Sequence, residues 1–141
     1  MSYVKIWVHT VWGTKYNQPI LTKEVRTTLY DHILENAKDK KIYIDKINGY
    51  LDHVHCLLAL NAEMSISKTI QLIKGEASFW ANNVKLVKPQ LEWADEYFAV
   101  SVSESMLEKV RNYIMNQEKH HKRVSFTEEY NQFISKYKFH G

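Results

Sequence analysis

An α+β fold of the ferredoxin-like, split βαβ kind is predicted by three features of this 141-residue chain. Strand-like and helix-like hydrophobic periods alternate along it in the order β-α-β-β-α-β-α-α. The second and third strands follow each other almost without a break, which calls for an antiparallel pair. The composition, 45% hydrophobic and 25% charged with four Gly and two Pro, supplies enough apolar surface for one core and excludes a disordered or low-complexity chain. The first six elements then form one four-stranded antiparallel sheet with helices on one face, followed by C-terminal helices. Residues 1–141 are read as a single domain, with the second sheet face left open for a ligand, a nucleic acid or a second subunit.

Each element has its own signature. Residues 3–13, "YVKIWVHTVWG", mix β-branched and aromatic residues with period-2 character and read as the first strand. Turn chemistry around Asn17 and Pro19 follows, and Thr22 is a candidate N-cap for a helix to about Ala37 with Val25, Leu29, Ile33 and Leu34 on one face. Residues 40–50, "KKIYIDKINGY", read as a second strand ending in an Asn-Gly turn, and residues 52–60, "DHVHCLLAL", as the third. Ser65 opens a second helix whose Ile66, Ile70, Ile73 and Phe79 form an apolar stripe. A fourth strand is expected near residues 95–102. Ser105 with Glu108 has the capping-box pattern for a third helix to about His120, and Ser125 with Glu128 repeats it for a last helix to about Tyr137.

The one cysteine, Cys56, forms no internal disulfide and suits a reducing compartment. The opening residues have no signal-peptide pattern, and no apolar run approaches the ~18 residues of a membrane span. A soluble, cytoplasmic protein with no membrane partner is expected. The net charge of +3 permits a nucleic-acid partner without requiring one.

The chemistry centres on "DHVHC". Alternation along a strand turns His53 and His55 to one face and Val54, Cys56 and Leu58 to the other, towards the helices. Two imidazoles so placed suit a shared metal ion, and equally suit two histidines that are merely neighbours. In "VRNYIMNQEKHHKR", Tyr113 and Gln117 are one helical turn apart, at the edge of the stripe formed by Leu107, Val110 and Ile114. That spacing is also what an ordinary amphipathic boundary presents. Lys119, Lys122 and Arg123 make a basic cluster suited to phosphate, or simply a solvated helix end favoured by the helix dipole. Asp52 reads as a carboxylate orienting a histidine or as a turn residue. His9 lies near the sheet face, and Cys56 is turned into the core.

Taken in order, "VKIWVHTVWGTKYNQPIL", "GYLDHVHCLLAL", "IQLIKGEASFWAN" and "VRNYIMNQ" resemble the single-tyrosine HUH transposases of bacterial insertion sequences and their domesticated, palindrome-associated relatives. The resemblance covers most of the chain. It implies that His53 and His55 are paired metal ligands with Val54 as the hydrophobic U position, that Gln117 is the third ligand, and that Tyr113 is the nucleophile. It implies a Mg²⁺- or Mn²⁺-dependent enzyme that cleaves and rejoins single-stranded DNA at hairpin-bearing element ends through a 5′-phosphotyrosine. A homodimer is implied as well, the tyrosine helix in several members completing the partner's site. Lys15 and Lys74 join Lys119, Lys122 and Arg123 as DNA-contact candidates by family position. The alternative is a domesticated hairpin-binding protein or nickase without mobile-element function. A rolling-circle initiator or relaxase fits less well, because the tyrosine follows the histidines and no further catalytic histidine is placed.

Overall fold

The computed structural model describes residues 2–139. Four strands, β1 (Trp7–Gly13), β2 (Tyr43–Tyr50), β3 (His53–Ala59) and β4 (Phe98–Val102), form one sheet in the order β2-β3-β1-β4, every neighbouring pair antiparallel. Helices α1 (Lys23–Asp39) and α2 (Ile66–Asn83) cover one face. The α+β split βαβ architecture is therefore the one expected.

The main core lies between the sheet and these two helices. Val54, Cys56 and Leu58 face it with no exposed surface, beside Trp12, Leu29, Ile70 and Ala77. Each such aliphatic side chain contributes roughly 1.5–3 kcal/mol by leaving water. Thr22 caps α1 by accepting from the Val25 amide, and Ser65 caps α2 by accepting from the Lys68 amide.

The second sheet face is not open. Helices α3 (Leu107–Met115), α4 (Gln117–His120) and α5 (Phe126–Lys136) fold back over it. Trp7 and Leu57 meet Leu107 and Ile114 at one end, while Val11 and Phe98 meet Phe126 at the other. Between these two apolar patches runs a polar strip of His9, His55 and His53, and the site is built there.

Other expectations are corrected by packing. β1 starts at Trp7, because its partners end at Ala59 and Val102; only the Ile6 carbonyl continues the ladder, accepting from Leu60. β4 starts at Phe98, its pairing with β1 beginning at Val11↔Phe98. Asn48 and Gly49 are paired strand residues rather than a turn, which falls at Leu51–Asp52. A methyl group at Gly49 would stand 2.2 Å from the His53 carbonyl oxygen, so the close approach of the two strands requires glycine. Phe79 is 71% exposed, and Thr69, Ala77 and Ala81 take the buried face of α2 instead.

The capping box at Ser105 does not form. Residues 104–106 make a 3₁₀ turn, Ser105 shares a hydrogen bond with Ser103, and Glu108 accepts from Arg111. The expected third helix is also interrupted at Asn116. There Asn48 donates to the carbonyls of Ile114 and Met115, drawing the end of α3 onto β2. Ser125 does cap α5, accepting from the Glu128 amide.

Candidate functional site

β3 supplies His53 and His55, both without exposed surface. The ring partners of each are set by neighbours. His53 Nδ1 lies 2.9 Å from Asp52 Oδ1, a partner that only accepts, so Nδ1 carries the hydrogen and Nε2 is turned into the site. His55 Nδ1 lies 2.9 Å from His9 Nε2, which leaves its own Nε2 facing the same way. On the strand β1 beside them, Gly13 has no side chain, and Phe126 fills that space to stack on His53 at a centroid distance of 4.2 Å.

The helices bring the remaining groups. Gln117, the first residue of α4, is fully buried with Oε1 3.1 Å from His53 Nε2. Its Nε2 donates to the Tyr113 carbonyl at 3.3 Å and to Glu129 Oε2 at 3.4 Å, which fixes the amide's orientation. Glu129 of α5 is 1% exposed and stands at the centre. Its Oε1 lies 3.0 Å from His55 Nε2, 3.4 Å from His53 Nε2 and 3.2 Å from His121 Nε2. Its Oε2 accepts a short hydrogen bond from the Tyr113 hydroxyl. His120 Nε2 comes within 3.2 Å of Oε2 without hydrogen-bond alignment.

Burial sets the electrostatics. Desolvation, helped by the charge of neighbouring His55, lowers His9 to about 3, and desolvation lowers His55 to about 4 against the pull of Glu129, so both rings are neutral near pH 7. Burial pushes Glu129 up, but its contacts with the His121 and His55 rings and the hydrogen bond from Tyr113 outweigh it and hold the carboxyl well below the carboxylate range. Tyr113 is raised by burial and by the Glu129 carboxylate, which keeps the proton on the phenol. Burial raises Cys56 to about 12, consistent with an inert thiol.

Ligand atoms of His53, His55, His121 and Glu129 all lie within 4.8 Å of one another, and this donor set fits a divalent cation. His53 Nε2, with its hydrogen on Nδ1, faces the oxygens of Gln117 and Glu129 at 3.1 and 3.4 Å. Acceptors converging in this way need a proton or a cation between them.

Residues 2–117 match the family described as transposase, IS200-like. This chain belongs to the IS200-like transposase family. It is 26% identical over 117 residues to the ISDra2 transposase TnpA of Deinococcus radiodurans, covering 77% of this chain and 81% of that protein. A transposase-family crystal structure from Deinococcus radiodurans R1 superposes with a TM-score of 0.65 at 25% identity, covering 83% of this chain and 95% of the other. The REP-associated tyrosine transposase, solved bound to a REP hairpin, shares the fold with a TM-score of 0.62 at 20% identity, over 88% of this chain and 73% of that one.

In this family member, the half-buried Tyr113 stands between the cluster and a cavity of about 370 Å³ that it lines with Asn116, Lys119, His120, Arg123 and Val124. Lys119 and Arg123 thus stand beside the tyrosine, while Lys122 is exposed outside the lining. Lys15 pairs with Glu92 at 3.3 Å, and Lys74 donates to the Ala94 carbonyl at 2.7 Å. Both are engaged by the segment before β4 and neither lines that cavity. Among the described residues, no helix is long and apolar enough to cross a membrane.

Three members of the cluster escape a reading of the sequence by motif. His121 reads as part of the basic run, Glu129 is not singled out, and His9 reads only as a residue near the sheet. One signal for Glu129 was present: it falls on the same side of its helix as Phe126 and Phe133, where a carboxylate among aromatics is out of place.

Proposed function

We propose that this chain cleaves and rejoins single-stranded DNA at hairpin-bearing ends, with Tyr113 as the nucleophile and His53, His55 and Gln117 as metal ligands. The observation that carries this reading is that one carboxylate, Glu129, touches both His55 and the Tyr113 hydroxyl. Nucleophile and histidine pair, 58 positions apart in the chain for His55, are therefore neighbours, with ring centroids 5.7 Å apart. The solved relative carrying a REP hairpin supports hairpin DNA as the substrate class.

The chemistry follows from the groups present. Tyr113 Oη, giving up the proton it shares with Glu129, attacks the scissile phosphorus; a Tyr–O–P bond forms, the P–O3′ bond breaks, and the departing oxygen takes up that proton to leave as a free 3′-OH. A phenol, with a pKa of about 10 in the free side chain, leaves more readily than a sugar hydroxyl, so a DNA 3′-OH can later displace the tyrosine and rejoin the strand without ATP. Glu129 and Gln117 hold the phenol and its helix end in place, and Lys119 and Arg123 line the approach with positive charge. A bound Mg²⁺ or Mn²⁺ supplies polarisation of the phosphate, stabilisation of the leaving oxygen and offset of the Glu129 charge. A homodimer belongs to this reading, and Tyr113 lies beside the histidines of its own chain.

The test is incubation with Mn²⁺ and single-stranded DNA carrying the element's own hairpin ends. A covalent protein–DNA adduct is expected with wild type and absent with Tyr113→Phe. An adduct of equal yield in the variant removes Tyr113 from the mechanism. Hairpin binding with no adduct under any divalent cation would favour a domesticated binding protein instead.

A further inference from the structure

The geometry of the last two helices points to a larger metal site than the His-x-His pair and Gln117. We propose that His121 and Glu129 join His53 and His55 in a three-histidine, one-carboxylate site that takes a transition-metal dication before any DNA is bound. This rests on His53 and His55 being ligands, and deepens that reading.

Ring orientation carries the proposal. His53 Nδ1 is held by the Asp52 carboxylate, His55 Nδ1 by His9 Nε2, and His121 Nδ1 by the Val124 carbonyl. For His53 and His121 the Nδ1 partner can only accept, so Nδ1 carries the hydrogen and the neutral ring presents an Nε2 lone pair. All three Nε2 atoms then converge on one atom, Glu129 Oε1, at 3.0–3.4 Å. An outer partner on every imidazole, fixing tautomer and ring direction, is how metal-ligating histidines are held. Burial strengthens the point, since His53 and His55 are fully buried and the His121 side chain is 2% exposed. The Nε2 lone pairs of His53 and His121 enclosed with a carboxylate are costly unless a proton or a cation is shared among them.

The donor set also determines which cation. Three imidazoles favour a later first-row dication such as Co²⁺ or Zn²⁺ over Mg²⁺, which prefers oxygen ligands and retained water. One carboxylate and three imidazoles from a single chain, beside the Gln117 Oε1 that also faces His53, hold the ion before DNA phosphate joins it. The same Glu129 reaches Tyr113 through its other oxygen, so the carboxylate that faces the cation also holds the nucleophile.

The experiment is titration of metal-free, DNA-free full-length protein with Co²⁺, followed by the visible ligand-field bands and by calorimetry, with Zn²⁺ and Mg²⁺ in competition. One Co²⁺ per chain is expected, displaced by Zn²⁺ and not by comparable Mg²⁺. Glu129→Gln and His121→Asn should each change the spectrum and weaken binding by at least about 100-fold, more than the ~10–100-fold of an outer-partner loss. Circular dichroism melts identify variants that fail to fold, and for these Glu129→Asp and His121→Gln are measured instead. Wild-type spectra and affinity in folded His121 and Glu129 variants, with binding lost in His53→Ala, would overturn this inference and leave the proposed function intact. No Co²⁺ uptake without DNA likewise overturns it. Uptake unaffected by His53→Ala or His55→Ala overturns the underlying ligand reading as well.

Discussion

Gly49→Ala places a methyl group between two strands that have no room for it. The new carbon would lie 2.2 Å from the His53 carbonyl oxygen and 2.7 Å from the Tyr30 hydroxyl, where ordinary contact begins at 3.4 Å. More than an ångström must be found, and the nearest obstacle is backbone. That backbone is tied by the pairs Gly49↔Val54 and Tyr50↔His53, so relief means separating β2 from β3 at the residue that carries His53. Overpacking costs about 1–3 kcal/mol, and a backbone clash belongs at the upper end. Restriction of the unfolded chain by alanine returns about 0.4–1 kcal/mol, leaving a net loss of about 2–3 kcal/mol. For a chain of this length the corresponding fall in Tm is about 6–12 °C. Thermal melts and urea titration of the folded variant measure the loss, and Co²⁺ binding reports the displacement of His53. A melting temperature within about 2 °C of wild type would show that the hairpin yields freely and that glycine is not what this approach requires.

Three further perturbations separate the roles of the surrounding residues. Asn48→Ala removes the donor to the Ile114 and Met115 carbonyls and should cost about 1 kcal/mol in urea unfolding while lowering adduct formation; unchanged adduct yield would mean that the α3 end is positioned without it. His9→Phe keeps a ring of similar shape but removes the partner of His55 Nδ1, so Co²⁺ affinity should fall about 10–100-fold with the fold retained. Equal affinity would assign His9 a packing role alone. In metal-free protein, His9 at about 3 and His55 at about 4 both lie below the unfolded value of 6.5. The unfolded chain therefore binds more protons as pH falls, so this stability is complete above about pH 6.5 and is lost progressively down to about pH 3. The loss should be of the order of several kcal/mol, and Glu129, held below its ordinary range, adds a further loss in more acidic solution. Urea midpoints that stay flat between about pH 7 and 4.5 would contradict neutral, buried histidines.

Much of this protein is determined locally and is legible in its sequence. Period-2 alternation in "DHVHCLL" assigns Val54, Cys56 and Leu58 to one face and the histidines to the other, because strand geometry leaves no third choice. Thr22, Ser65 and Ser125 cap the helices they precede, since a side-chain oxygen satisfies an amide three residues on. The capping rule misleads at Ser105, where a 3₁₀ turn intervenes, and turn chemistry misleads at Asn48-Gly49, a dipeptide held in a strand by pairing with His55 and Val54 and by the end of α3.

What only the tertiary structure decides is convergence. Nothing local to Glu129 says that its helix will fold over β3, because that depends on Phe126 filling the space left at Gly13 and on Phe133 packing with Phe98. Nor does the run "HHKR" distinguish His121, aimed inward with its Nδ1 on the Val124 carbonyl, from the exposed Lys122 beside it. The sequence by itself determines the strand, its histidine pair and a tyrosine helix. Bringing residues 53, 55, 113, 117 and 121 to the Glu129 carboxylate is decided by long-range packing, whose contacts leave no periodic trace in the chain.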